Sequence, residues 1–445
     1  GLQDNGVWMG KKTYREGFRW QSTGQYPYKS IMGGDGMQIQ IDNRDNTTVY
    51  TGYQFGNYFR INTRSGKRKY ITPKQDLGDR PYRFNWQSPI LLSPHNQDIF
   101  YLGAHKLLRS MDQGDSFKEI SEDLTMGGQK GDVAYGTLTS IDESIFEFGL
   151  IYTGSDDGKV MRTKDGGNTW DEIMQGLPSD LWVTRVQASK HEESRVYLAL
   201  NGYRWDNFAP YVYMSDDYGD TWKAIHNNLP NEPVNVIKED PINEDILYVG
   251  TDHGLYISID QGNSFMMMNN GIPNVPVHDI VIHERDQELL IGTHGRSIYL
   301  ADIKALQALD DELLNKAIYA FEPGSMYYNS NWGNKPTAYR EANVPTLNLQ
   351  YYTNSNGNVT MQVFHDDHML HETSFDAKKG INLYEYDLSM DPKRYDHLFN
   401  KLKKKDTELT KAEVAENGTL YLTKGNYIIK LIKDSNKHTV NIEIK

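Results

Sequence analysis

Four segments set a carboxylate and a glycine between hydroxyl side chains and close on an aromatic ring. They read SMDQGDSF (Ser110 to Phe117), TKDGGNTW (Thr163 to Trp170), SDDYGDTW (Ser215 to Trp222) and SIDQGNSF (Ser258 to Phe265). Asp112, Asp165, Asp217 and Asp260 would suit three chemistries: general acid, metal ligand, or acceptor for turn amides. A calcium loop needs several carboxylates at alternating positions and a distal Glu, which these segments lack. An Asp that gathers turn amides, followed by a Gly that tolerates positive φ, is what a tight hairpin turn requires, and the aromatic can then wedge between neighbouring elements. The four aspartates are therefore expected to be structural, with no metal and no cofactor.

The elements that position them repeat. An apolar strand phrase recurs as VYTG at Val49, FYLG at Phe100, IYTG at Ile151, VYLA at Val196, LYVG at Leu247 and LLIG at Leu289. A spacing of roughly 40 to 50 residues is that of a four-stranded propeller blade. Each unit has a first strand such as VNVIKEDP (Val234 to Pro241), the apolar phrase as the second, a tight turn such as TDHG (Thr251 to Gly254), a third strand such as LYISID, then the aspartate motif and a fourth strand. Six repeats are clear, and GLQDNGVW opens the chain as part of a seventh. The expected fold is all-β: a β-propeller over 1–302, then a second β domain.

Alternating turns put the four motifs on one face of the disc, here the bottom, and collect other residues on the top. Those preceding first strands or lying in second turns include Asp35, Trp86, Asp156, Asp157, Trp182, Asp252, His278, Asp279, His294 and Arg296. The segment NGYRWDNFAP, Asn201 to Pro210, lengthens one such turn and adds Tyr203, Arg204 and Trp205. Long aromatic loops on a rigid scaffold carry function more often than structure, so this loop is the leading ligand contact. Trp86, Trp182, Tyr203, Arg204, Trp205, His278, His294 and Arg296 form the expected ligand face. Each also has a structural reading: Asp35 and Asp157 as turn closers, the histidines as satisfied hydrogen-bonding groups, Arg296 as a tie between blades, Trp86 and Trp182 as core wedges.

A glycosidase needs two carboxylates about 5 Å apart, or about 6.5 to 9.5 Å when inverting. Asp35, Asp156, Asp157, Asp252 and Asp279 are the candidates, and sequence supplies no separations among them. Ser-His-Asp and phosphate-loop signatures are missing. A polar and aromatic face without a committed catalytic set favours a binding or scaffold protein for a peptide, protein or glycan, with glycoside hydrolysis as the alternative. The net charge of −13 argues against a phosphate-backbone partner, which would require clustered cations, and only KLKKKD (Lys401 to Asp406) is locally basic. With no cysteine, disulfides and thiolate metal sites are excluded. No apolar run reaches the roughly 18 to 20 residues that span a bilayer.

The aspartate motifs resemble the Asp-boxes of sialidases, two-propeller xyloglucanases and sortilin-type receptors. Further phrases, GLQDNG, GGDG (Gly33 to Gly36), NWQSPILLSPH (Asn85 to His95), WVTRV (Trp182 to Val186) and VHDIVIH running into IGTHGRSIYLAD (Ile291 to Asp302), resemble the sortilin-related Asp-box (BNR) repeat proteins of bacteria, often labelled glycosyl hydrolase by similarity. The resemblance covers most of residues 1–302. It implies Asp-box blades, a secreted, periplasmic or outer-membrane surface location, and a chain that is the carboxy-terminal part of a longer protein, whose missing amino-terminal part is then a further partner. The Arg-Ile-Pro phrase typical of sialidases is absent.

Beyond residue 302 the blade pattern stops. KALQALDDELLNKAI (Lys304 to Ile318) has apolar residues at helical spacing, and 303–344 reads as a helix with an extended connector. Alternating runs such as TLNLQYYT and NVTMQVFHDD then predict an immunoglobulin-like β-sandwich over 345–445, interrupted near 391–416 by a charged helical insertion. The closing hairpin, LTKGNYIIKLIKDSNKHTVNIEIK, resembles those of Ig-like modules in secreted proteins of Bacteroidota.

Overall fold

The structure is a computed structural model that describes residues 1–12, 21, 22, 24, 26–129, 135–269, 271–404 and 410–445. The chain divides into two compact units, Gly1–Ala301 and Asp302–Lys445.

The first unit is a β-propeller. Five antiparallel sheets of four strands each follow one another along the chain, beginning with strands Gln40–Ile41, Leu138–Glu143, Trp182–Ala188 and Val234–Glu239 in blades one, three, four and five, and Ile90–Leu92 in blade two. Blade six has three strands, Val277–His283, Glu288–Thr293 and Ile298–Asp302. Val7–Gly10 pairs with Tyr28–Met32 as a separate two-stranded sheet.

Packing between consecutive blades explains the apolar phrase. In the core between blades four and five, Tyr197, Ala199, Val212 and Met214 meet Val234, Ile237, Leu247 and Val249. Between blades three and four, Tyr152 and Val160 meet Val183, Val186, Val196 and Leu198. The closing Gly is required by this approach: a Cβ on Gly154 would stand 2.2 Å from Cγ1 of Val183, and one on Gly250 would stand 2.7 Å from the Val277 carbonyl oxygen. Tyr50, Tyr101, Tyr152, Tyr197 and Tyr248 are all fully buried. A buried phenol usually finds a partner, and for three of the five the end of a first strand supplies it: Tyr101 donates to Glu143 at 2.9 Å, Tyr197 to Glu239 at 2.9 Å, and Tyr248 to Asp240 at 3.0 Å, while the Tyr50 and Tyr152 hydroxyls are buried without one.

The four aspartate motifs are closed turns. In each, one carboxylate oxygen accepts from the preceding Ser or Thr hydroxyl and from the amide four residues on, as Asp217 does from Ser215 at 2.7 Å and from the Thr221 amide at 2.8 Å. The Ser215 hydroxyl in turn accepts from the Gly219 amide at 2.8 Å. Trp170 and Trp222 reach back to the preceding blade, donating to the carbonyls of Ile120 and Ile173 at 2.9 and 2.8 Å.

The second unit is a β-sandwich. A three-stranded sheet (Ile318–Ala320, Leu347–Thr353, Gly380–Tyr386) and a four-stranded one (His368–Ala377, Gly357–His365, Gly425–Lys433, Asn436–Ile444) share one core, in which Leu349 and Tyr351 meet Val363, Ile429 and Leu431. Residues 303–344 contribute the strand 318–320 and the buried Trp332 to that core. The helix expected over 304–318 is two short helices, Lys304–Gln307 and Asp311–Leu314, because Asp310 caps the second through the Leu313 amide and so restarts the chain. Helix Pro392–Lys403 begins on Asp391, which accepts from the Arg394 amide, with Pro at the first helical position. Residues 410–416 are not helical, and 405–409 lie outside the described residues.

Candidate functional site

The site is built where first strands begin. In blades three to six each first strand shifts register at one position, placing Thr139, Thr184, Asn235 and His278 as an extra residue opposite the second strand. A β-bulge twists its strand and re-aims the side chain. Thr139 uses the new direction to donate to the Val183 carbonyl of the next blade at 2.6 Å, and Thr184 to that of Val234 at 3.3 Å. Asn235 donates to Asp252 at 2.9 Å and accepts from Asn201 at 3.1 Å.

That last link holds the aromatic turn of blade four. Asn201 accepts from the Tyr203 amide at 2.9 Å and donates to the Val234 carbonyl at 3.2 Å. Asn201 to Pro210 is not the open loop expected: its extra residues lengthen strands Val196–Gly202 and Asn207–Ser215, leaving a single 3-10 turn at Tyr203–Trp205. Asp206 closes it in the left-handed region (φ 54°), returning its amide to the Tyr203 carbonyl. Tyr203, Trp205 and Phe208 are left 58, 44 and 43% exposed, apolar surface with no core role. Arg204 folds back, its guanidinium 3.9 Å from the Trp182 ring centroid. Arg204 itself stays exposed, and a cation over an aromatic face at an exposed site is worth about 0.5 to 1 kcal/mol. Burial lowers the Arg204 pKa, opposed by the attraction of Asp156.

The structure separates the other expected residues into small groups. His278 and His294 face one another with centroids 5.7 Å apart. Desolvation, then His294, lowers the His278 pKa. Trp86 packs edge-on against Phe55 at 5.2 Å, and both rings are exposed. Arg296 is exposed in the turn between the second and third strands of blade six.

All five candidate aspartates are engaged by protein donors. Asp35 accepts from the Asp4 amide at 2.8 Å and from Gln54 at 2.9 Å. Asp156, fully buried, accepts from the amide and hydroxyl of Thr137 at 2.9 and 2.6 Å and from Asn85 at 3.3 Å, and burial raises its pKa. Asp157 accepts from Ser155 and from the Met126 amide. Asp252 is held by Asn235, and Asp279 is ion-paired with Arg185 at 2.8 Å.

The Arg185–Asp279 pair was not foreseen. It joins first strands of blades four and six, with blade five between them in the ring, and Lys190 pairs with Glu284 just beyond the ends of the same two strands. Asp142 and Lys238 lie in the same electrostatic neighbourhood on blades three and five. Burial pushes Asp142 up to about 6, while Lys238 pulls it down, and burial lowers Lys238 against the attraction of Asp142. The signal available in sequence was a charge in the middle of an otherwise apolar first strand, as in VTRVQA and NVIKED. Among the described residues no group of three or more His, Cys, Asp or Glu side chains is placed to hold a metal ion.

Comparison with solved structures finds low-identity neighbours. The extracellular domain of a hybrid two-component system protein from B. thetaiotaomicron aligns at 11% identity over 94% of this chain and 51% of its own, with a TM-score of 0.44. The GH74 xyloglucanase from Xanthomonas campestris aligns at 13% identity over 89% of this chain and 57% of its own, at 0.46. The chain thus spans little more than half of either. YCF48 from Cyanidioschyzon merolae aligns at 13% identity over 60% of this chain and 81% of its own, at 0.40. No curated protein sequence matches at a significant level. The family model Sortilin-Vps10, described as "Sortilin, neurotensin receptor 3", matches residues 210–444, more than half of the chain. With that match running from the third strand of blade four to the end of the sandwich, the chain belongs to the sortilin/Vps10 family.

Proposed function

We propose that this protein is a binding or scaffold propeller that recognises a peptide, protein or glycan on its top face. The observation that carries this reading is the turn at Tyr203–Trp205. It exposes Tyr203 and Trp205 beside Phe208 of the following strand, holds Arg204 against Trp182, and is pinned to blade five through Asn201 and Asn235. Exposed aromatic rings beside an arginine held on a Trp face match the Trp, Tyr and Arg enrichment of binding hot spots. The reading extends to His278, His294, Arg296 and Trp86 as outlying contacts, to a secreted or cell-surface location on a bacterium, and to an upstream part of a longer protein as a further partner. Support for an extracellular setting is the family match.

Within the same proposal, residues 1–302 form the ligand-bearing domain, 345–445 an Ig-like spacer, and 303–344 the stretch that joins them and adds strand 318–320 and Trp332 to the spacer's core. Glycoside hydrolysis, the alternative, is disfavoured at Asp35, Asp156 and Asp157, whose two carboxylate oxygens are both taken by protein donors, whereas Asp252 and Asp279 are each held through one oxygen only. Glycan-array and peptide-library binding, measured for the intact protein and for Arg204→Ala and Trp205→Ala, tests the assignment. Ligands that lose at least tenfold affinity in both variants support it. Ligands bound equally well by all three proteins defeat it.

A further inference from the structure

The sixth blade has an apolar face that stays exposed among the described residues. In the preceding blade the forward face, toward the next blade, carries Tyr248, Leu255 and Ile257, aligned by the pairs Tyr248↔Ile257 and Gly250↔Leu255, and these three are at most 7% exposed. GLYIS (Gly254 to Ser258) and SIYLA (Ser297 to Ala301) are matching third strands, so Ile298 and Leu300 stand where Leu255 and Ile257 stand. Val281 faces Leu290 on the same side of the blade. Yet Val281, Ile298 and Leu300 are 52, 54 and 59% exposed.

The two-stranded sheet at the start of the chain explains what belongs there. It packs on blade one through Val7, Ile31, Met32 and Ile61, and Lys12 reaches Asp286 and Glu288 of blade six at 2.6 and 2.9 Å. It therefore stands between blades six and one, in the seventh position. Its strands correspond to the third and fourth of a blade. Gly1 takes the place of the glycine that closes a second strand: a Cβ there would stand 2.4 Å from the Met37 carbonyl oxygen of the next blade, as one on Gly250 would meet Val277. Among the described residues no strand pairs with the inner edge of Val7–Gly10. In every complete interface, first and second strands of one blade cover the forward face of the blade before it.

We propose that the seventh position receives a two-stranded β-hairpin from outside residues 1–445. The hairpin supplies first and second strands, pairs antiparallel with Val7–Gly10, and lays alternate apolar residues on Leu290, Ile298 and Leu300. An unpaired strand edge beside an exposed apolar sheet face is the setting for β-augmentation.

The test uses the full chain and a synthetic peptide of residues 234–252, this protein's own first and second strands from blade five. Binding is read by fluorescence anisotropy and by amide hydrogen exchange. Expected are saturable binding, slower exchange at Val7–Gly10, and at least tenfold weaker binding to Leu300→Asp, with no binding of a scrambled peptide. Leu300 is exposed, so its replacement leaves the fold intact, and circular dichroism of the variant confirms this. Failure of the peptide to bind, binding that leaves exchange at Val7–Gly10 unchanged, or a sedimentation profile showing that two copies of the chain close the face on each other would overturn the proposal.

Discussion

Replacing Asp217 with Ala removes the acceptor around which one of the four repeated turns closes. Its carboxylate takes the Ser215 hydroxyl at 2.7 Å, the Thr221 amide at 2.8 Å and the Thr221 hydroxyl at 2.6 Å. Hydrogen bonds to a charged acceptor contribute about 1.5 to 3 kcal/mol when buried; this turn is half-buried and water replaces part of the loss, so we expect a cost of about 1 to 2 kcal/mol. The turn also places Trp222, whose indole ties blade four to Ile173 of blade three, so the cost is felt between blades. Urea unfolding followed by tryptophan fluorescence, for wild type, Asp217→Ala, Ser215→Ala and the double variant, measures both the loss and the coupling. Contacting partners should couple by about 0.5 to 1.5 kcal/mol. The Thr221 and Ser215 hydroxyls, then the Thr221 amide, hold the folded Asp217 pKa at about 2 against an ordinary 3.8. The aspartate's contribution is thus fully present above pH 3.8 and disappears as pH falls toward 2, and the difference between wild type and variant must shrink over that window. Unchanged stability in Asp217→Ala, or loss of ligand binding without loss of stability, would refute the structural role.

Other outcomes follow from the same geometry. Trp182→Ala should weaken top-face ligands about as much as Arg204→Ala, because each removes the other's cation–π partner; calorimetry on the two variants compares the losses. Asp142 has a folded pKa raised by burial to about 6 from 3.8, so its ionisation makes stability fall as pH rises through that interval. Asp142→Asn, which keeps an acceptor for the Ala188 amide, should therefore be more stable than wild type at pH 7.5 by up to about 3 kcal/mol and lose that advantage near pH 4, as denaturation at the two pH values will show. Tyr197→Phe leaves Glu239 with the Ser189 hydroxyl and the Lys190 amide but without its phenol donor, a cost of about 1 to 2 kcal/mol measurable in the same unfolding assay.

Periodicity alone carried the architecture. The apolar phrase with its closing glycine, the turn residues and their spacing specify blades because each is a local demand: a strand that buries both faces, a glycine where the next strand comes within 2.2 to 2.7 Å of a would-be Cβ, an aspartate where hairpin amides converge. The same logic assigned Asp112, Asp165, Asp217 and Asp260 to closed turns, and singled out Tyr203, Arg204 and Trp205. What sequence left open is which top-face groups meet. Asp35, Asp156, Asp157, Asp252 and Asp279 look alike as letters, yet each finds a donor, and Asp279 finds one two blades away in Arg185, 94 residues earlier. Bulges at Thr139, Thr184, Asn235 and His278 aim side chains in directions that strict alternation does not foretell. Local rules act over a few residues and are legible in order along the chain; partnerships across the ring depend on where distant strands come to rest, and only the tertiary structure decides them.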